Sequence, residues 1–219
     1  MKIIVTTSDK YLHLLPIFTY CFNKYMPGNE VTVLGYKEPE PLPENFSFVS
    51  MGKQGSVNEW STDIRQWIEA QDEDLFMWLF EDSFIRGFDE YQLYTCMALT
   101  CMPDVGRVAL TKDILNRPHK ITEGGIVWAD ANSRYRLSTQ PSIWRKEFLL
   151  QYLHYGLSPW DFETQDPVND EWIIAGTETP AIIHNEGVRK SDIFELDLNG
   201  FNEEDISNIK QLSSWLSIT

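Results

Sequence analysis

At 219 residues the chain is long enough to bury a substantial core and fits one α/β domain. Its net charge of −15, from 33 acidic against 18 basic residues, argues against nucleic acid or an anionic membrane surface as a partner. Aromatics make up 13% of the chain, with eight Trp, which excludes a disordered chain and suits a packed fold or a stacking-rich cleft.

The chain opens on a β-branched strand, Lys2 to Thr6, closed by a polar turn, Thr6 to Asp9. The first apolar run is short and Asp9 and Lys10 follow at once, so no secretory leader is expected. No stretch approaches the ~20 apolar residues of a membrane span. The cysteines Cys21, Cys96 and Cys101 show no framework spacing, which suggests a reducing compartment; the expected location is cytoplasmic. Lys10 to Tyr25 carries apolar residues at helical spacing, with the helix proper beginning near Pro16. Val31 to Tyr36 reads as a second strand, the proline-rich 37–45 as a loop, and Phe46 to Met51 as a third strand. Asn58 to Gln71 reads as a helix with Trp60, Ile64, Trp67 and Ile68 on one stripe.

Leu75 to Phe80 is an unbroken apolar run, the mark of a strand buried on both faces, and Glu81 and Asp82 follow it directly. The stretch from Gly87 to Cys101 predicts a helix with acids in its first turn, and Arg107 to Thr111 a strand. In the mixed segment that follows, Ile126 to Trp128 reads as extended. Tyr135 to Gln140 alternates like a strand, and Trp144 to Tyr155 reads as a helix. The segment 156–167 is irregular, acidic and aromatic; Asn169 to Ala175 reads as a short helix and Ala181 to His184 as a short strand. A last amphipathic helix is expected from Glu203 to Leu216, with Asn202 as its cap. This order predicts an α/β fold with a mainly parallel sheet in the first half.

In open α/β sheets ligands bind at the carboxyl ends of the strands, where Glu81 and Asp82 should emerge. Hard divalent cations take one or two protein carboxylates plus phosphate oxygens, so the pair suits Mn²⁺ or Mg²⁺ bridged to the diphosphate of an activated sugar. Pattern alone favours a loop carboxylate pair that caps the next helix, because acidic loops are common in a chain this acidic. The turn Thr6, Thr7, Ser8, Asp9 offers hydroxyls and backbone donors, or simply a helix cap. It has no glycine-rich phosphate fingerprint. His184, with Arg189 and Lys190 close behind it, could serve phosphate, or could be a structural histidine before a surface charge couple. Trp160, Asp161, Phe162 and Glu163 pair aromatic faces with carboxylates, which suits a sugar and a general base; the alternative is an acidic loop anchored by buried rings.

Four segments together resemble the GT-A-type glycosyltransferases, in particular small phage, bacterial and viral members: NEWSTDIRQWIEA, LFMWLFEDSF, RLSTQPSIWRKEFLLQYL with PWDFE, and IIHNEGVRKSD. The resemblance implies a single GT-A-like, Rossmann-like domain with a mixed, mainly parallel central sheet flanked by helices. It would comprise a nucleotide-sugar half (1–111), an acceptor half (112–200) and a C-terminal helix (201–219). It implies Asp82, then Glu81, at the metal motif, with Ser83 standing where the strict motif has its second aspartate. His184 would complete the metal site, and Arg189 or Lys190 would meet the diphosphate. Thr6, Thr7, Ser8 and Asp9 would lie beside the nucleotide, bordered by Trp60 and Asp63. Glu163, or failing it Asp161, would be the base, and Ser138, Gln140 and Trp144 would floor the acceptor side next to Trp160. The implied activity is metal-assisted transfer from a nucleotide-sugar to a glycan, lipid or protein hydroxyl. The alternatives are a non-catalytic nucleotide- or sugar-binding protein on the same fold and, behind it, a nucleotidyltransferase.

Overall fold

The computed structural model describes residues 1–165, 170–187 and 197–213. A nine-stranded sheet carries strands from both halves of the chain. Its first four strands in space are β3 (Phe46–Ser50), β2 (Val31–Gly35), β1 (Lys2–Thr6) and β4 (Leu75–Phe80), all parallel. Next come β9 (Ser142–Arg145), β6 (Val105–Ala109), β10 (Ile173–Thr177), β8 (Ile126–Ala129) and β7 (His119–Ile121). Only β9 and β8 run against the common direction, so the sheet is mixed and mainly parallel. A separate two-stranded antiparallel sheet pairs β5 (Ser83–Phe88) with β11 (Ile182–Glu186).

Alternation along the central strands divides the core. Ile3, Val5, Met77 and Leu79 face one layer with α1 (Leu15–Tyr25), α3 (Glu90–Leu99) and α6 (Glu203–Ser213). Ile4, Phe76 and Trp78 face the other, with α2 (Trp60–Glu69), α4 (Lys146–Tyr152) and α5 (Pro159–Glu163). Phe76 to Leu79 are all at most 1% exposed, as the apolar run required. Pro16 falls in the first turn of α1, where its missing N–H costs nothing. Asp89 caps α3 by accepting from the Gln92 amide. No helix among the described residues is long and apolar enough to cross a membrane.

Several predicted elements differ. The strand expected at Tyr135 to Gln140 is instead a turn-rich loop, and the strand is β9 just beyond it, wedged antiparallel between β4 and β6. The helix expected from Trp144 therefore starts only at Lys146. The helix expected at Asn169 to Ala175 gives way to strand β10, whose apolar residues pair with β6 and β8. The irregular acidic-aromatic segment contains the short helix α5, closed by a capping box at Ser158 and Asp161. Beyond Asp82 the chain forms strand β5 before α3 begins.

Candidate functional site

Strands β1 and β4 are neighbours in register, Thr6 opposite Phe80, so their carboxyl ends emerge side by side. Thr7 is fixed there by its amide, which donates to the Leu34 carbonyl at 2.9 Å. Gly35 permits that approach: a Cβ on it would lie 2.9 Å from Thr7 Cγ2. These ends open into a cavity of about 410 Å³, lined among others by Thr6, Thr7, Ser8, Trp60, Glu81 and Asp82. That volume falls within the range of small-molecule sites. The Trp60 wall is rigid, because its ring stacks on Trp78 at 5.6 Å and on Phe80 at 6.2 Å.

The two acids behave differently. Glu81 is 3% exposed. Burial, reinforced by the Asp82 charge, pushes its carboxyl well above the usual range, against hydrogen bonds from its own amide, the Thr7 hydroxyl and the Ser8 amide. Burial thus favours the neutral form of Glu81, and the half-buried Asp82 is the more accessible of the two carboxylates. Asp82 is half-buried at the cavity. Its carbonyl accepts from the Gly187 amide at 2.8 Å, so the end of β11 braces it.

His184 does not join them. It pairs with Ile85 on β5, three residues beyond Asp82 and roughly 10 Å along the strand at 3.3 Å per residue. Burial lowers its pKa to about 4, against the nearby Asp113 charge, so the ring is neutral near pH 7. Among the described residues no three His, Cys, Asp or Glu side chains gather to hold a metal. The donor set thus does not fit a protein cage. Asp82 is the carboxylate that could hold a hard divalent cation there, such ions taking as few as one protein carboxylate.

The other nucleotide-side residues divide. Thr6, Thr7, Ser8 and Trp60 line the cavity, although the Thr6 hydroxyl also accepts from Trp78 Nε1 at 3.0 Å. Asp9 turns away: its carboxylate accepts from the Lys37 amide at 3.0 Å, and it lines a different cleft. Asp63 stands behind the wall and accepts from the Tyr36 hydroxyl at 2.9 Å. Arg189 and Lys190 lie outside the described residues.

On the other side, Asp161 accepts from the Ser158 hydroxyl at 2.6 Å and the Ser158 amide at 3.1 Å. These bonds hold its carboxyl below the usual range and make it the N3 member of the α5 capping box, with Ser158 as the cap. Glu163 Oε1 accepts from the Thr139 amide at 2.6 Å and the Thr139 hydroxyl at 2.7 Å. Gln140 Nε2 donates to Glu186 at 2.7 Å, tying the 135–140 loop to β11. Ser138 is buried and its hydroxyl accepts from the Gln140 amide at 3.4 Å, so it shapes the loop. Trp144 is fully buried in β9 and stacks on Phe148 at 6.0 Å, so it is a core residue and cannot floor an acceptor site. Trp160 is 63% exposed.

Sequence reasoning missed Lys10, Tyr36 and Gln54, which also line the cavity. Lys10 is its only cation among the described residues. The signal was its place one residue beyond the Thr6–Asp9 turn. A larger cleft of about 1220 Å³ opens on the α1 and α6 side, lined by the proline-rich 37–43 loop. It collects no strand ends, so the smaller cavity is the better-founded site.

No family model matches the chain, and no curated protein matches it. Among solved structures it is similar to S. aureus TarS 1–349, at 12% identity over 83% of this chain and 59% of that one, with a TM-score of 0.48. It is similar to mannosyltransferase PcManGT from Pyrobaculum calidifontis in complex with GDP-Man and Mn²⁺, at 13% identity over 82% of this chain and 56% of that one, TM-score 0.44. It is also similar to a cytidylyltransferase from Leptospira borgpetersenii, at 12% identity over 74% of this chain and 67% of that one, TM-score 0.43. The chain thus spans less than two thirds of the length of both TarS 1–349 and the mannosyltransferase.

Proposed function

We propose that this chain is a glycosyltransferase that binds a nucleoside-diphosphate sugar at the ends of β1 and β4 and passes the sugar to an acceptor hydroxyl. The observation that carries the reading is the cavity itself. It brings the Ser8 hydroxyl, a flat aromatic wall at Trp60, and Lys10 and Asp82 into one lining at the carboxyl ends of β1 and β4. Trp60 offers a face to a nucleobase or ribose, and Lys10 offers positive charge to the diphosphate. A divalent cation held by Asp82 would neutralise the leaving diphosphate.

Glu163 is the base in this reading. Helix α5 begins at Pro159 in the cavity wall, which sets Glu163 about 6 Å further along its axis at 1.5 Å per residue. Both hydrogen bonds from Thr139 fall on Oε1 and orient the carboxylate, so that Oε2 is the atom to accept a proton. The acceptor oxygen attacks the anomeric carbon as its proton passes to Glu163. The bond from that carbon to the diphosphate breaks, and the electron pair leaves with the nucleoside diphosphate. A binding protein without transfer is the second reading, favoured because no three metal-ligating side chains gather among the described residues.

The test is calorimetric titration of UDP, GDP and CDP with Mn²⁺, followed by EDTA, on the native chain and on Asp82→Ala and Lys10→Ala. At least one nucleotide should bind, and each variant should weaken it by about tenfold, the equivalent of ~1.4 kcal/mol. Failure of all three nucleotides to bind, or unchanged binding by Asp82→Ala, would refute the site. Binding without hydrolysis or transfer of any nucleotide-sugar would select the second reading.

A further inference from the structure

Tyr135 has φ of 57°, and no other residue except glycine among the described residues has a positive φ. An L side chain in this region is strained, so it persists only where its surroundings hold it. Three arginines do that here. Arg117 donates to the Tyr135 carbonyl, and Arg107 Nη1 to the Arg136 carbonyl at 3.5 Å. Arg136 donates to the Ala131 carbonyl at 3.1 Å, to Asp170 at 2.6 Å and to the Trp172 carbonyl at 2.8 Å. Asp113 joins Arg107 and Arg117 by accepting from both. Arg107 and Arg136 are buried, so this is a built support and not a surface charge cluster.

What the support presents is an aromatic ring facing water. Tyr135 is 42% exposed and Trp160, the ring beside it, is 63% exposed. Their centroids lie 6.4 Å apart at 57°, an open angled pair. Neither ring contributes to the buried core. Trp160 and Glu163, three residues apart, share a face of α5, and both meet the same loop, Trp160 at Tyr135 and Glu163 at Thr139. Two rings with a carboxylate alongside match the two faces of a sugar: axial C–H groups against the aromatics, hydroxyls against the acid. A lipid tail would need a longer unbroken apolar groove than these two rings provide, and an acidic glycan would meet Asp161 and Glu163.

We propose that Tyr135 and Trp160 form a stacking platform for a neutral pyranose, the acceptor sugar, and that the arginine-held loop is the device that keeps Tyr135 in place. Only the word acceptor rests on the transferase reading; the platform itself does not. The test is saturation-transfer NMR on the full chain with the methyl β-pyranosides of glucose, galactose, mannose and N-acetylglucosamine, run beside a UDP, GDP and CDP titration. At least one glycoside should receive saturation at its ring C–H protons. Its dissociation constant should rise about tenfold or more in Trp160→Ala and in Tyr135→Gly, which removes the ring while easing the backbone. Trp160→Phe and Tyr135→Phe should retain binding. Unchanged unfolding midpoints will show that the two truncations leave the fold intact. No saturation of any glycoside, or equal saturation in Trp160→Ala, would overturn the platform. Glycoside binding without nucleotide binding would keep the platform and remove the transferase reading. Nucleotide binding without glycoside binding would do the reverse.

Discussion

Replacing Glu81 by Gln decides whether this residue is a ligand or a buried neutral prop. The fold raises its carboxyl through burial first and the Asp82 charge second. An unfolded Glu titrates near 4.3, so as pH rises past that value the unfolded state releases its proton before the native state does. The sign follows: native stability is full below about 4.3 and falls as pH rises toward the folded value. The slope is ~1.4 kcal/mol per pH unit while the pH lies between the two values. Gln carries no such proton. Relative to the native chain, Glu81→Gln should therefore gain stability as pH rises above about 4.3 toward the folded value, whatever its offset from altered hydrogen bonds. Urea unfolding at several pH values, in metal-free buffer, reads the slope directly. Asp82→Asn should lower the folded value and shrink the effect, since it removes the second cause. Parallel pH profiles for the native chain and Glu81→Gln would refute the assignment and return Glu81 to the role of an ionised ligand.

Two further outcomes are expected. Glu163→Gln should leave nucleotide affinity unchanged and lower the transfer rate by ~10²–10⁴-fold in a single-turnover assay; loss of binding instead would show that Glu163 is not the base. Asp205→Ala should cost ~3 kcal/mol and lower the midpoint by about 6–12 °C in a thermal scan. Asp205 is fully buried and accepts from Lys24 at 2.5 Å, Tyr20 at 2.8 Å and Tyr25 at 3.0 Å, and Lys24 keeps 29% exposure, which places the cost at the low end. Burial pushes the Asp205 carboxyl up, but these bonds outweigh it and hold it below the usual range. Its stabilisation is present above about pH 3.9 and is lost as pH falls through the folded value, so the variant and native curves should converge in acid.

The central architecture was legible in the residues. The run from Leu75 to Phe80 could only be a strand covered on both faces, and the alternation of Ile3, Ile4 and Val5 matched a two-sided sheet. The stripe of Trp60, Ile64 and Ile68 fixed the buried side of α2, because helical spacing is a local property. The cavity position followed from the same logic, since a polar turn after a buried strand has to surface at the sheet edge.

The roles of individual side chains at that edge did not follow. Glu81 and Asp82 are alike in sequence and both line the cavity, but the fold buries the first among hydrogen bonds from Thr7 and Ser8 and leaves the second half-buried. Trp144 reads as the first residue of a helix until β9 is seen inserted between β4 and β6. Arg107, fully buried within the sheet over the Trp144 ring, contradicts what its charge suggests and is explained by Asp113 and Ser142 as partners. Pattern and propensity act over a few residues and so were fixed by the amino-acid order alone. Strand partners and buried charges are set by contacts between segments tens of residues apart, and the folded chain alone decides those.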